Sequence, residues 1–188
     1  MKHAALLILL FSLAIIGCTQ RTSSPYSASS GIARNSLRAQ ELTQQASDLI
    51  EHNPEKAERL LRDALTADLY HGPAHNNLGV IYLSQSKLYE AASEFEWARK
   101  LMPGHPDPRM NLALTLERAG RIDEALATYD TALEVYPNHL PTIQALTRLQ
   151  LRHNRADDRT SNFLKEISLR SDQQWQQWAR IQMPRYSR

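Results

Sequence analysis

Seven histidines are the residues of this 188-residue chain best suited to binding a metal. His71, His105 and His139 recur every 34 residues, each directly before a predicted helix. Equivalent positions in neighbouring layers of helices lie about 10 Å apart, whereas zinc ligands lie about 2 Å from the metal. The three histidines therefore cannot share a metal, and we interpret them as turn residues. His75 follows His71 across a Gly-Pro bend with no third ligand nearby, so we predict neither a metal nor another cofactor.

Acidic residues that could act as general acids or bases stand in two adjacent pairs, Asp123 with Glu124 and Asp157 with Asp158. Both pairs open predicted helices, where carboxylates stabilise the helix dipole. The sequence contains no glycine-rich phosphate loop and no G-x-S-x-G nucleophile motif. A net charge of +2 gives no indication of nucleic-acid binding. We therefore predict that the protein is not an enzyme and does not bind nucleic acid.

The chain begins with a segment typical of a secretory signal peptide. Lys2 precedes an apolar run over 4–16, which is too short to span a bilayer because a spanning helix needs about 20 residues. Cys18 follows Gly17 and is the only cysteine, so an intramolecular disulfide is impossible. No neighbouring base activates its thiol. This favours an acyl anchor over an incidental or a reactive cysteine.

The residues "IIGC" at 15–18 resemble a bacterial lipobox. The resemblance implies removal of a signal peptide of residues 1–17 and attachment of palmitate and other acyl chains to Cys18. Each buried methylene contributes about 0.8 kcal/mol, so several chains hold a protein firmly on a membrane. Thr19 follows the cysteine where an inner-membrane lipoprotein of diderm bacteria has aspartate, which implies the periplasmic face of the outer membrane. The alternative location is the outer leaflet of the cytoplasmic membrane.

Residues 18–36 are expected to be a lipidated, flexible tether. The segment is rich in serine, contains Pro25 and Gly31, and shows no apolar periodicity. Such a sequence cannot bury enough apolar surface to offset the entropy of ordering it. A flexible chain of this length has a root-mean-square end-to-end distance of roughly 25 Å. This distance would keep the following domain near the membrane but clear of the headgroups.

From Leu37 onward the apolar residues recur at helical spacing, in successive pairs of helices. Proline and glycine mark the turns between them, where helices must stop or restart. We predict helices at 37–51, 54–67, 72–84, 88–101, 106–118, 122–135, 140–153, 157–169 and 172–182.

A pattern of small and large residues repeats through these helices. Ala91, Phe95 and Ala98 share one face of a helix, and the same arrangement returns 34 residues later. The small residues let two helices approach closely, while the large residue fills the groove between them. The repeated positions are Leu78, Gly79, Tyr82, Ala91, Phe95, Ala98 and Pro103, followed by Leu112, Ala113, Ala125, Tyr129, Ala132 and Pro137.

This pattern resembles the tetratricopeptide repeat (TPR). The resemblance implies an all-α fold in which helix-turn-helix units stack into a right-handed superhelix with a shared core. Residues 171–188 are predicted to form a capping helix, with Trp175 and Trp178 on one face, and a basic tail. The TPR domain is expected at 37–170, in about four repeats whose first and last members match least well: 38–71, 72–105, 106–139 and 140–170.

In this family one face of each first helix lines a concave groove, which implies a partner-binding site there. The groove is expected to be apolar at one end and basic at the other, with Arg118 at its margin. Val80 stands where relatives that clamp a peptide carboxylate have asparagine, so we do not infer that clamp. Asn77 and Asn111 match asparagines that support the fold. Repeat register assigns to the groove Leu42, Ala46, Leu49, Asn76, Val80, Leu83, Met110, Leu114, Glu117, Gln144, Arg148, Leu151 and Arg152.

We therefore predict a membrane-anchored periplasmic scaffold or adaptor of the cell envelope. Its partner is expected to be another envelope protein, bound through an extended or helical peptide whose acidic portion lies toward Arg148 and Arg152. One alternative is a lipoprotein that assists assembly of type IV or tight-adherence pili. Another is a peptidoglycan-associated adaptor for a cell-wall hydrolase or synthase. The sequence gives no indication of the oligomeric state.

Overall fold

A computed structural model describes residues 34–186 of the chain. The predicted signal peptide, Cys18 and most of the tether lie outside these residues. Every regular element within 34–186 is helical, as the repeat pattern predicts. The elements are α1 (Ser36–Ser47), α2 (Pro54–Ala67), α3 (Gly72–Ser84), α4 (Leu88–Leu101), α5 (Asp107–Arg118), α6 (Ile122–Val135), α7 (Leu140–Arg152), α8 (Thr160–Arg170), α9 (Gln173–Gln182) and a short 3₁₀ helix (Met183–Arg185).

Helices α2, α3, α4 and α6 begin and end at the predicted residues. The start of α2 shows why such boundaries can be read from the sequence. Asn53 accepts a hydrogen bond from the Lys56 amide through its side chain, and Pro54 occupies the first helical position. Asp123 and Glu124 lie in the first turn of α6, as predicted.

Two helices, α1 and α8, are shorter than predicted by more than one residue. Helix α1 ends at Ser47 rather than 51, because the Leu49 amide donates to the Ala46 carbonyl in a tighter turn. Helix α8 begins at Thr160, so the prediction that Asp157 and Asp158 open this helix is wrong. The Asp157 carboxylate instead accepts a hydrogen bond of 2.9 Å from the Arg159 amide, which fixes the turn before the helix.

The repeated small and large residues form the core between the helices of each pair. Ala91, Phe95 and Ala98 of α4 are fully buried, and the equivalent residues of α2 and α6 are fully buried as well. Gly79 of α3 faces Phe95, and a Cβ atom at Gly79 would lie only 2.6 Å from Cε1 of the ring. The glycine thus leaves the space that the aromatic ring fills.

The first helices of successive repeats lie side by side, with α3 in contact with both α1 and α5. Two asparagines donate side-chain hydrogen bonds between these helices. Nδ2 of Asn77 donates to Oγ of Ser47 at 2.8 Å, and Nδ2 of Asn111 donates to Oδ1 of Asn76 at 3.1 Å. Asn77 and Asn111 therefore stabilise the stacking of repeats, in agreement with the supporting role predicted for them.

The end of the predicted tether is fixed to the helical body, so the tether boundary at 36 needs correction. Nε of Arg34 lies 2.8 Å from the carboxylate of Asp68, and the Ser36 hydroxyl donates to the same carboxylate at 2.8 Å. Burial raises the pKa of Asp68, but hydrogen bonds from Arg34, Ser36 and the Tyr70 amide outweigh it and lower the pKa. Among the described residues, Arg34 and Ser36 attach this segment to the body.

Helix α9 packs on α8 at the C-terminal end of the described chain. Its two tryptophans, Trp175 and Trp178, are partly buried and meet edge to face, with ring centroids 5.2 Å apart. None of the helices within 34–186 combines the length and the apolar character needed to cross a bilayer.

Candidate partner-binding groove

An open cavity of about 520 Å³ lies between α5 and α7. Each helix presents residues spaced by three or four positions to this cavity, since such residues share one face of a helix. Its lining consists of Met110, Leu114, Glu117 and Arg118 of α5, Tyr129 of α6, Pro141, Gln144, Ala145, Arg148 and Arg152 of α7, and Trp175 of α9.

The structure brings the C-terminal half of the predicted groove together around this cavity. Six residues assigned to the groove by repeat register line it, namely Met110, Leu114, Glu117, Gln144, Arg148 and Arg152. Arg118, expected at the margin of the groove, lines it as well. The cavity is therefore amphipathic, with apolar walls from α5 and a charged end near the C-termini of α5 and α7.

The N-terminal half of the predicted groove needs correction. Leu42, Ala46 and Leu83 are only 5%, 0% and 6% exposed and belong to the hydrophobic core, so their side chains do not line an open surface. The other residues assigned to that half are partly buried, namely Leu49, Asn76 and Val80. Leu151, assigned to the C-terminal half, is also partly buried. Helix α1 thus uses its apolar face to pack against its neighbours.

Glu117 neutralises part of the basic end of the groove. Its carboxylate lies 3.5 Å from Nη2 of Arg148 and 3.1 Å from Nη1 of Arg152, and its side chain is only 8% exposed. The Tyr129 hydroxyl donates to the same carboxylate at 3.4 Å. Burial and the Glu117 charge raise the pKa of Tyr129, which keeps its phenol protonated and able to donate. One buried carboxylate thus bridges α5, α6 and α7.

The guanidinium of Arg148 is incompletely satisfied. Its contact with Glu117 is long for a charge-assisted hydrogen bond, which usually measures about 2.7–2.9 Å. Within the described part of the chain, the buried Nε of Arg148 has no hydrogen-bond acceptor. Arg118, in contrast, donates to the Leu83 carbonyl at 3.1 Å and so ties α5 to α3.

Trp175 is a cavity residue that the sequence interpretation assigned only to the cap. It lies on α9, outside the repeat register, yet it lines the same cavity as Leu114 and Arg148. The signal in the sequence was the presence of two tryptophans three residues apart. Its position over the groove depends on how α8 and α9 follow α7, which local spacing does not show.

Four histidines of the described chain lie in turns or in the core. His71 and His139 directly precede α3 and α7, and His105 lies in the turn before α5. His75 is instead a core residue of α3, fully buried beside Glu94 of α4. No group of three or more metal-ligating side chains that could hold an ion is found within 34–186.

Comparisons with known proteins agree with this architecture. Two sequence models, both described as tetratricopeptide repeat, match residues 51–96 and 82–149. No curated protein matches the chain.

Several solved structures have a similar fold. The first TPR of Spaghetti (RPAP3) bound to the HSP90 peptide SRMEEVD has a TM-score of 0.61 and 19% identity, over 66% of this chain and 99% of that chain. An O-GlcNAc transferase mutant from Thermobaculum terrenum has a TM-score of 0.64 and 18% identity, over 78% and 27% of the two chains. MamA from Desulfovibrio magneticus RS-1 has a TM-score of 0.58 and 14% identity, over 77% of each chain. At these identities the similarity establishes the fold.

Proposed function

Because the described chain is an all-α tetratricopeptide-repeat solenoid, we propose that it is a membrane-anchored periplasmic scaffold of the cell envelope. Its concave groove binds a peptide or helix of a partner protein, and Cys18 carries the lipid that anchors it to the outer membrane. The observation that carries the binding function is the open cavity between α5 and α7, where apolar walls meet Arg148 and Arg152.

The chemistry of the cavity suits one segment of a peptide. Met110, Leu114 and Trp175 provide apolar surface for an aliphatic or aromatic side chain, whereas Arg148 and Arg152 attract a carboxylate. The side chain of Arg152 is 57% exposed and therefore accessible to a ligand. The RPAP3 repeat domain, which shares the fold, holds an HSP90 peptide, and that precedent supports peptide binding as the use of this architecture.

A charge-reversal variant tests the groove. Short peptides are selected on the purified full chain from a random display library, and their affinities are measured with the Arg148→Glu/Arg152→Glu variant. We expect the double variant to lose at least about tenfold in affinity, because attraction becomes repulsion. Lys56→Glu/Arg59→Glu is the matched control, since it reverses two exposed charges on α2. Equal binding by wild type and the groove variant would refute the proposal.

The anchor is tested separately from the groove. Cells that express the Cys18→Ser variant and are fed a palmitate analogue should yield an unlabelled, uncleaved precursor, while the wild-type protein is labelled. Thr19→Asp should keep the label but move the protein from the outer to the cytoplasmic membrane. Label on the serine variant would exclude Cys18 as the lipidation site.

The pathway in which the scaffold acts is a further part of the proposal. A scaffold of this kind fits pilus assembly, whereas the basic tail after α9 fits an adaptor that contacts the cell wall. Cross-linking of the native lipidated protein in cells distinguishes the two. Pilin or secretin components among the products favour pilus assembly, and a peptidoglycan hydrolase or synthase favours the cell-wall adaptor.

A further inference from the structure

We propose that Glu117 is an intramolecular ligand of the groove, which occupies the arginines until a carboxylate of the partner displaces it. The displacing group is an aspartate, a glutamate or a C-terminal carboxylate that lies next to an apolar side chain of the bound peptide. This inference rests on the proposed peptide-binding function and adds the chemistry of the partner and the regulation of the site.

The charge balance of the cavity is the first argument. Among the residues that line it, three arginines face a single acid, Glu117. That acid contacts two of the arginines, Arg148 and Arg152, so the groove presents less positive charge than its arginines carry. An excess of positive charge nevertheless remains, and it attracts an anionic partner.

The second argument is that Glu117 satisfies Arg148 poorly. The 3.5 Å contact is at the limit of a hydrogen bond, and the buried Nε of Arg148 has no acceptor among the described residues. Turning the guanidinium away from Glu117 would allow two parallel hydrogen bonds to an incoming carboxylate. Binding of the ligand and release of Arg148 from Glu117 are therefore coupled.

The apolar wall defines what accompanies the carboxylate. Leu114 and Trp175 line the same cavity as the two arginines. A peptide that places its carboxylate at Arg148 must lay the neighbouring residue against these two side chains, and an apolar residue gains free energy there by leaving water. A peptide with only acidic residues lacks this contribution.

The test compares wild type with Glu117→Gln in the full chain. The probe is the most enriched acidic peptide from the display library, together with a copy in which each acid is replaced by its amide and a copy with an amidated C-terminus. We expect Glu117→Gln to bind the acidic probe about five- to tenfold more tightly, and the amide copy with unchanged affinity. The amidated copy shows whether a side chain or the chain terminus supplies the carboxylate.

Control variants separate the effect of this position from a change in net charge. Glu134→Gln removes an exposed charge from α6 and should leave all affinities unchanged. Glu117→Asp keeps the charge but shortens the side chain, so it cannot bridge both arginines as well, and we expect an intermediate gain. Circular dichroism checks that each variant is folded, and the aspartate variant provides the test if the glutamine variant is not.

The two proposals fail in different ways. If selected peptides require Arg148 and Arg152 but bind Glu117→Gln and Glu117→Asp no more tightly than wild type, Glu117 is not a competitor and this inference is overturned, while the groove function stands. If every selected peptide binds the Arg148→Glu/Arg152→Glu variant as well as wild type, the groove function is overturned and the inference with it.

Discussion

Nδ1 of His75 lies 2.6 Å from Oε2 of Glu94, in a contact that joins α3 to α4 within the second repeat. The other ring nitrogen, Nε2, lies 2.9 Å from the Leu69 carbonyl oxygen. Both ring nitrogens therefore lie within hydrogen-bond distance of an oxygen. The imidazole also stacks on Trp97, with ring centroids 5.7 Å apart. His75 thus connects both helices of the repeat with the turn before it.

Replacing this histidine should destabilise the protein. We expect His75→Ala to lower the free energy of unfolding by about 3 kcal/mol, because it leaves a cavity and removes the imidazole from the buried Glu94 carboxylate. Urea denaturation followed by circular dichroism measures the change. His52→Ala is the control, since His52 is exposed; similar losses in both variants would contradict the structural role of His75.

The close approach of Gly79 to Phe95 predicts that even one methyl group is harmful there. Gly79→Ala should cost about 1–3 kcal/mol of unfolding free energy, because the new Cβ must displace the buried ring. Gly104→Ala is a matched control, as a Cβ at Gly104 meets no atom within 4 Å. Thermal or urea unfolding compares the two, and an unchanged stability of Gly79→Ala would show that the ring moves without cost.

The attachment of Arg34 to Asp68 should make stability depend on pH. The pKa of Asp68 is lower in the folded protein than in the unfolded chain, so its contribution is present above the unfolded value and is lost as the pH falls through the folded value. Below about pH 4, wild type should therefore lose stability more steeply than Asp68→Asn, which is less stable at neutral pH. Urea unfolding at several pH values measures the slopes; parallel slopes would exclude this contribution.

Trp175 should contribute to peptide binding independently of its role in the cap. Trp175→Ala is expected to lower the affinity for the selected peptides about tenfold, because it removes one apolar wall of the cavity. Trp178→Ala is the control, as Trp178 is a partly buried residue of the same helix that does not line the cavity. Fluorescence anisotropy with labelled peptide provides both affinities. Equal weakening in the two variants would mean that the effect comes from the cap.

Much of the fold is predictable because its boundaries have local causes. The ends of α2, α3, α4 and α6 follow from prolines and from the recurrence of small and large residues. The end of α1 has no such marker before Pro54, and the chain leaves the helix through the turn from Ala46 to Leu49 instead. Aspartate is a residue type that often begins a helix. The Asp157 carboxylate instead accepts a hydrogen bond from the Arg159 amide, in the turn before α8.

The groove was predictable only where repeat register coincides with open surface. Residues that the repeat register assigns to one face of α5 and α7 line the cavity, whereas the register does not show that Leu83 is buried in the core. The contact between His75 and Glu94 is indicated in the sequence. Glu94 lies on the same helical face as Ala91 and Phe95, which is buried, and a buried carboxylate needs a hydrogen-bonding or charged partner. Trp175 required the path of two further helices, which depends on packing over the whole C-terminal end.

The attachment at Arg34 also determines how a mechanical load at the start of the described chain reaches α1. A pull applied at Arg34 acts on its ion pair with Asp68 and on the hydrogen bond from the Asn35 amide to the Ala67 carbonyl before it reaches the first turn of α1. Both acceptors lie at the end of α2, so tension is shared by two helices of the first repeat. Peeling of α1 from the solenoid must begin by breaking these bonds.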